Sequence, residues 1–434
     1  MTFIATIGTV SITSKALLSH HEIEENIMTS QIFIGNQNGV VVASDTMVSW
    51  EAPHGGTKTL PESNKIYDLG IKHQVVVTDS GMASLAGLLW SSIIREWGLQ
   101  LSSPLPTLKE YVDSFCEWTK KGISNFGFEE IAFSQSYFCS SLQDLTNFFD
   151  GAIKQIVDSI NNQLDKKDIP QIEKSFIKFF DEIDFGTKKY KDMTPAKLAE
   201  FYKSSGGKEV FYKHALEDLS ISWEPSKSLN KSLDNIIDNI FTYFIDGYKY
   251  TSLNFIGFGS NEPFASCIDI TVRGFFNGSL RTGTQEDESE SMKTMGWWTF
   301  SAQKSAMQSI LEGWNPDVSA ALDIVEDVLR SDFGFTDNQI EKLYKDNALD
   351  KIARHFQERY IWPSRSLIQD LALPGLVKFA DSLVHIQSLR SVLEGDEATV
   401  GGIVEVVSID RTYGVVWHRK LTARLSEGSA HILA

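Results

Sequence analysis

The stretch TSQIFIGNQNGVVVASDTMVSWEAPHGGTKTLPESNKIYDL, residues 29–69, decides how this chain is read. Ile32-Phe33-Ile34 and Val40-Val41-Val42-Ala43 are apolar, mostly β-branched runs. Between them Asn36-Gln37-Asn38-Gly39 has the composition of a tight hairpin turn. A further apolar burst, Ile66-Tyr67-Asp68-Leu69, follows a loop rich in Pro, Gly and Ser. Three polar residues stand at the ends of these runs. Thr29 directly follows Met28, Asp45 lies 16 positions on (45 − 29), and Lys65 lies 20 beyond that (65 − 45). A hairpin returns Asp45 to the start of the first strand, and a third strand carries Lys65 to the same edge. The spacing therefore predicts a hydroxyl, a carboxylate and an ammonium at one point.

Those groups make chemistry together. A threonine hydroxyl is a poor nucleophile until a base removes its proton, and the α-amine of a chain-terminal threonine can be that base. A free α-amine has a pKa of about 7.7–8, near the pH where a general base works best. A lysine ammonium nearby lowers it further by like-charge repulsion, and Asp45 is the carboxylate that would hold that lysine. The requirement is that Thr29 becomes residue one. Translation from Met28 with removal of the initiator methionine would do this, and so would cleavage of a propeptide covering residues 1–28. Thr2 also follows a methionine, but the residue 16 beyond it (2 + 16) is Leu18, so it lacks the acid. Taken singly, Asp45 reads as a turn cap and Lys65 as a surface residue; their joint spacing favours the chemistry.

Thr29, the Gly39–Asp45 run and Lys65-Ile66-Tyr67 together resemble the start of a mature proteasome β-type subunit, the threonine branch of the N-terminal-nucleophile (Ntn) hydrolases. The likeness is to a divergent bacterial-type member with large helical insertions. It implies that Thr29 is nucleophile and base, with Asp45 and Lys65 as its polarising pair. It also implies an oxyanion donor at the end of the next strand, Gln74–Gly81, where Thr78 falls at the backbone N–H position and Val76 at a wall of the specificity pocket. Ser301, in the stretch WWTFSAQKSAMQSILEG at 297–313, falls near the serine that such proteins place beside the nucleophile. Near the end of the chain, Glu397 matches an acid that supports the threonine amine, and Val400 stands where a serine is usual, just before Gly401-Gly402. That valine removes a hydroxyl from the wiring of the amine.

Composition sets the outer limits. At 434 residues and 42% hydrophobic, the chain can bury a sizeable core. A net charge of −17 argues against nucleic acid and anionic membrane as partners. Cys116, Cys139 and Cys267 are an odd, scattered set without metal-ligand spacing, which suits a reducing cytoplasm. No run reaches transmembrane length. Lys15 is followed by only Ala16-Leu17-Leu18, too short for a secretory signal. No metal and no cofactor are expected.

Outside the opening stretch, helical spacing is read over Met82–Trp97, from Pro106 to about Asn125, and over Leu373–Leu393. Strands are read at Ser252–Ser260, at Cys267–Ile270 with Ser279–Arg281 across a Gly274–Gly278 turn, at Ile403–Ile409 and at Val415–Trp417. Pattern alone gives an α+β fold. The resemblance refines it to a four-layer αββα sandwich over residues 29–434, with helical insertions at about 141–250 and 314–370. It further implies a peptide or protein substrate and a homo-oligomer, and leaves an ATPase or other regulator open. Three functions are carried forward: a threonine-type peptidase or amidase, a non-catalytic proteasome-like assembly subunit, and an Ntn amidase for a small molecule.

Overall fold

The turn at Asn36 sets the register of everything near the site. Strands β1 (Ser30–Asn36) and β2 (Gly39–Ser44) pair antiparallel with Asn36 opposite Gly39, a two-residue hairpin. The Asn36 side chain accepts the Asn38 N–H at 2.8 Å and donates to the carbonyls of Ile368 and Leu371. Gly39 has φ +151°, and a Cβ there would meet the Ile409 carbonyl oxygen at 2.4 Å, so the turn closes against a neighbouring strand that only glycine admits. The computed structural model describes residues 29–51, 57–60, 63–127, 129–147, 169–183, 185–186, 188–245, 250–283, 296–314, 316–343, 349–393 and 400–421. Residues 1–28, Glu397 and the acidic run QEDESE at 285–290 lie outside them.

Two five-stranded antiparallel sheets share one compact unit, residues 27–137 and 249–434. In the first, β1 and β2 are flanked by β12 (Trp297–Ala302) and by β13 (Glu405–Asp410) with β14 (Gly414–Arg419), in the order β12-β1-β2-β13-β14. The second has β5 (Ile66–Asp68), β6 (Val75–Gly81), β9 (Thr251–Gly257), β10 (Ser266–Phe276) and β11 (Ser279–Thr282), in the order β11-β10-β9-β6-β5. The third strand of the opening stretch thus joins the other sheet rather than extending the hairpin. Two short ribbons complete the strands: β3 (Val48–Glu51) with β4 (Thr57–Leu60), and β7 (Ser84–Leu85) with β8 (Leu88–Leu89).

Strand alternation explains the packing. Phe33, Val42, Val76, Ile256, Val407 and Ile409 form one buried cluster drawn from both sheets. The intervening residues point the other way. Val75, Val77, Leu253 and Phe255 pack against helices α1 (Trp90–Gly98) and α2 (Leu108–Gly122), with Trp97, Tyr111 and Phe115. Ile32, Ile34, Val41 and Ala43 pack against Met307, Leu311, Leu376 and Leu383 of the helices at Ser305–Leu311 and Leu373–Leu393. The predicted helix over Met82–Trp97 begins only at Trp90. Ala86 (φ 49°) and Gly87 (φ 86°) make a tight turn between β7 and β8 where continuous helix was expected.

Residues 138–248 form a separate unit. Its described elements are helical apart from one isolated bridge, and Phe138, Phe201, Phe211 and Phe241 build its core, with Phe211 and Phe241 rings 4.8 Å apart. There the Glu173 carboxylate accepts the Trp223 indole N–H and the Ser226 backbone N–H just before the helix Lys227–Thr242. Among the described residues no helix is long and apolar enough to cross a membrane.

Candidate active site

The separation of Thr29 from Asp45 follows from the hairpin register. Pairing Gln31 with Ser44 sets Ser30 opposite Asp45. The Asp45 N–H donates to the Ser30 carbonyl at 3.1 Å, and the Ser30 N–H donates to Asp45 Oδ1 at 2.9 Å. Across the other edge of β1, the Gln303 N–H donates to the Thr29 carbonyl at 2.8 Å. The Thr29 backbone is therefore held through its own carbonyl by Gln303 and through the next residue, Ser30, by Asp45.

Lys65 arrives from the second sheet. Its Nζ donates to Thr29 Oγ1 at 3.0 Å, to Asp45 Oδ1 at 2.9 Å and to the Met47 carbonyl. Three ammonium protons meet three acceptors. All three side chains are buried: Thr29 is 5% exposed, Lys65 4% and Asp45 0%. The second carboxylate oxygen of Asp45 accepts the backbone N–H groups of Met47 (3.3 Å) and Gly401 (3.2 Å). With Ser30 N–H and Lys65 Nζ on Oδ1, the carboxylate has four donors, the satisfaction a buried charge requires. The Gly401 carbonyl accepts the Thr46 N–H and Thr46 Oγ1 accepts the Ile403 N–H, so the chain just before β13 is stitched to the end of β2.

Two further acids surround Lys65, and the sequence reading passed over both. Asp79 pairs with it through an N–H···O=C bond of 3.4 Å, and its Oδ1 accepts the Tyr67 hydroxyl at 2.9 Å. Burial pushes the Asp79 carboxyl up from 3.8 to about 6; the Tyr67 hydroxyl and then the Lys65 charge oppose that rise. Glu405 is wholly buried and accepts the Lys65 backbone N–H at 3.2 Å and the Leu421 N–H at 3.0 Å. Burial raises its carboxyl too, and those two N–H groups and the charges of Lys420 and Lys65 offset part of the effect. Glu405 carries a sequence signal, a charge inside an otherwise apolar strand run, whereas Asp79 lies in the polar end of its strand, between Thr78 and Ser80.

Along the strands toward Thr29, the space between the sheets turns from apolar to polar. Gln31 donates from Nε2 to the Asp79 carbonyl at 2.8 Å and accepts the Thr78 hydroxyl at 3.0 Å. Ser301 shares a 2.7 Å hydrogen bond with Ser80 and accepts from Asn254 Nδ2 at 3.2 Å; Asn254 also donates to Ser252, whose hydroxyl meets Asp269. Ser301 lies opposite Gln31, two residues along β1 from Thr29, and is engaged with the second sheet rather than with the Thr29 hydroxyl.

No protein-family model matches this sequence, and no curated protein is significantly similar to it.

The structure corrects two of the residues carried over from the resemblance. Thr78 sits inside the sheet, opposite Ile66 on one side and Asn254 on the other. In a strand flanked on both sides the backbone N–H lies in the ladder, so it is not an oxyanion donor aimed at Thr29. Val76 is fully buried in the cluster between the sheets and is core, not a pocket wall. Val400 is likewise fully buried. Glu397 lies outside the described residues. Among the described residues no group of three or more His, Cys, Asp or Glu is placed to hold a metal ion. Burial pushes the thiols of Cys116 and Cys139 up to about 11 and about 12, which leaves both unreactive at neutral pH.

Asp79 makes a pH prediction. Its folded-state pKa lies above its unfolded value, so the folded protein keeps a proton that the unfolded chain has released. The resulting stability is fully present below 3.8 and is lost as pH rises through about 6. Asp79→Asn keeps an acceptor for Tyr67 and removes the titration. At pH 7.5 the variant is expected to be more stable than wild type, by up to about 3 kcal/mol for a shift of about two units, and the gap should close toward pH 4. Urea midpoints of both proteins across that range check it; equal midpoints at pH 7.5 would refute it.

Proposed function

We propose that this chain is a threonine-type peptidase or amidase of the Ntn-hydrolase class, with residues 29–434 as the working polypeptide. The observation that carries the reading is the buried contact of Lys65 Nζ with both Thr29 Oγ1 and Asp45 Oδ1, its third donor being spent on the Met47 carbonyl. An ammonium committed in this way has no lone pair with which to take the hydroxyl proton. A base is still needed, and once Thr29 is the first residue its own nitrogen is within reach of its own Oγ. Lys65 then does two things: it stabilises negative charge developing on Oγ, and it favours the neutral amine.

The steps follow. The amine takes the proton as Oγ attacks the substrate carbonyl, forming a tetrahedral oxyanion. Collapse breaks the C–N bond, and the protonated amine gives its proton to the leaving amine. The ester left on Thr29 is hydrolysed by a water that the same amine deprotonates, which frees acid and regenerates the hydroxyl. The backbone N–H of Gly81 is the proposed oxyanion donor: the Asp79 N–H points toward β5 and that of Ser80 toward β9, so by alternation Gly81 directs its own to the side that β5 has left. Two helix-covered antiparallel sheets with a shared apolar interior support the αββα sandwich of this class. A homo-oligomeric assembly acting on peptides is proposed from the resemblance alone, and a cytoplasmic setting from the three scattered cysteines.

A second reading, a non-catalytic assembly subunit, is favoured by Val400, which offers no hydroxyl where the resembling proteins have a serine. Intact mass and N-terminal sequencing of active protein separate the two. The expected result is a chain beginning at Thr29 that cleaves N-capped peptide amides of aminomethylcoumarin. Full activity in protein that retains residues 1–28 would exclude the amine mechanism.

A further inference from the structure

Glu405 occupies a position that its neighbours on β13 do not explain. Val407 and Ile409 belong to the apolar cluster shared by the two sheets. Glu405, two residues earlier, shares their face by strand alternation, yet it carries a carboxylate and is 0% exposed. Each of its oxygens is bound. Oε2 accepts the backbone N–H of Lys65, and Oε1 accepts that of Leu421. With the Asn64 amide turned so that its nitrogen faces these acceptors, it donates to Glu405 Oε1 at 3.0 Å and to the Leu421 carbonyl at 3.2 Å. One side chain of the first sheet therefore grips the entry to β5 and the chain just beyond β14.

The Lys65 ammonium sits at the end of a flexible four-carbon stem, so its place between Thr29 and Asp45 depends on where the backbone of residue 65 is held. Short β5 holds that backbone on one side only, through the Asp79 N–H on the Lys65 carbonyl. The bond from Glu405 fixes the N–H side. We propose that Glu405 is the positioning residue of the Lys65 ammonium, and that through Oε1 it couples the chain at Leu421 to the site. This rests on the reading of Thr29, Asp45 and Lys65 given above. A displacement of about 1 Å in a catalytic group costs on the order of 10²-fold in rate, so a loosened clamp acts on turnover more than on substrate binding.

Glu405→Gln tests the first half. An amide has one acceptor oxygen, so either the Lys65 N–H or the Leu421 N–H then faces an NH₂ group. The full chain labelled with ¹⁵N at lysine Nζ gives the direct readout. The buried Lys65 ammonium should show a slowly exchanging signal, assigned by its loss in Lys65→Met. In Glu405→Gln that signal is expected to shift or vanish, with kcat down by about 10²-fold and KM within about twofold. A merely structural role would lower the melting temperature and leave the signal in place, and that outcome overturns the proposal. Leu421→Pro removes one N–H, spares the carboxylate, and serves where Glu405→Gln does not fold. It should move the same signal by a smaller amount, and an unmoved signal overturns the coupling to Leu421. The signal is read without turnover. Failure of the nucleophile assignment would appear separately, as peptide hydrolysis surviving in Thr29→Ala.

Discussion

Thr29→Ala protein should fold as wild type does and lose hydrolysis of peptide amides by at least about 10³-fold. The substitution removes one acceptor from Lys65 Nζ and leaves the other two, Asp45 Oδ1 and the Met47 carbonyl. One lost hydrogen bond at a nearly buried position costs about 1 kcal/mol, too little to unfold a domain with this much core. Turnover is affected differently, because the hydroxyl oxygen is the atom that forms the ester and alanine has nothing to replace it. The cysteine thiols at 116 and 139 are too basic to substitute, and Ser301 is tied to Ser80 and Asn254. Thr29→Ser keeps the nucleophile and should keep most of the activity. Initial rates with a panel of N-capped aminomethylcoumarin amides, alongside thermal melts, decide the matter. Hydrolysis at the wild-type rate in Thr29→Ala, from protein free of contaminating peptidase, would remove the proposed mechanism.

The hairpin was legible because its signal is local. Asn-Gln-Asn-Gly between two apolar runs fixes a two-residue turn, the turn fixes the register, and the register sets Asp45 beside Ser30. Lys65 was legible as a partner but not by its route. Nothing in Ile66-Tyr67-Asp68 says which of two sheets it joins, since strand order depends on contacts hundreds of residues apart, such as Glu405 with Lys65. Apolar periodicity misled over Met82–Leu89, where Leu85, Leu88 and Leu89 fit helical spacing but Gly87 permits a turn that lets two short strands pair. The transfer of Thr78 and Val76 failed for a related reason. A strand's face and its freedom from pairing are set by the sheet around it, and an offset of one residue reverses both. Glu405 was visible as a charge within an apolar run and Asp79 as a charge at the polar end of one, patterns that mark either an exposed face or a buried polar site. Only packing distinguishes the two.

Lys65→Met is expected to lower stability by about 3 kcal/mol or more and to abolish turnover, and only the first loss should be recoverable. Methionine fills much of the stem's volume but brings no charge, so Asp45 remains with the N–H groups of Ser30, Met47 and Gly401 and no cation. Breaking one side of a buried ion pair typically costs 3–5 kcal/mol, because the surviving charge stays in a low dielectric. The three N–H groups that remain put this case at the lower end. A surface lysine would cost no more than about 0.5 kcal/mol, so the size of the effect itself tests the 4% exposure of Lys65. Adding Asp45→Asn removes the stranded charge, and the double variant should regain about half or more of the lost stability, a coupling that a double-mutant cycle in urea reads directly. Turnover should not return with it, since neither amide nor thioether can stabilise charge on Thr29 Oγ or hold the terminal amine neutral. If stability and activity recovered together, the pair would serve the fold alone. If stability returned while turnover stayed absent, the ammonium would be needed at the hydroxyl for a reason that packing does not supply.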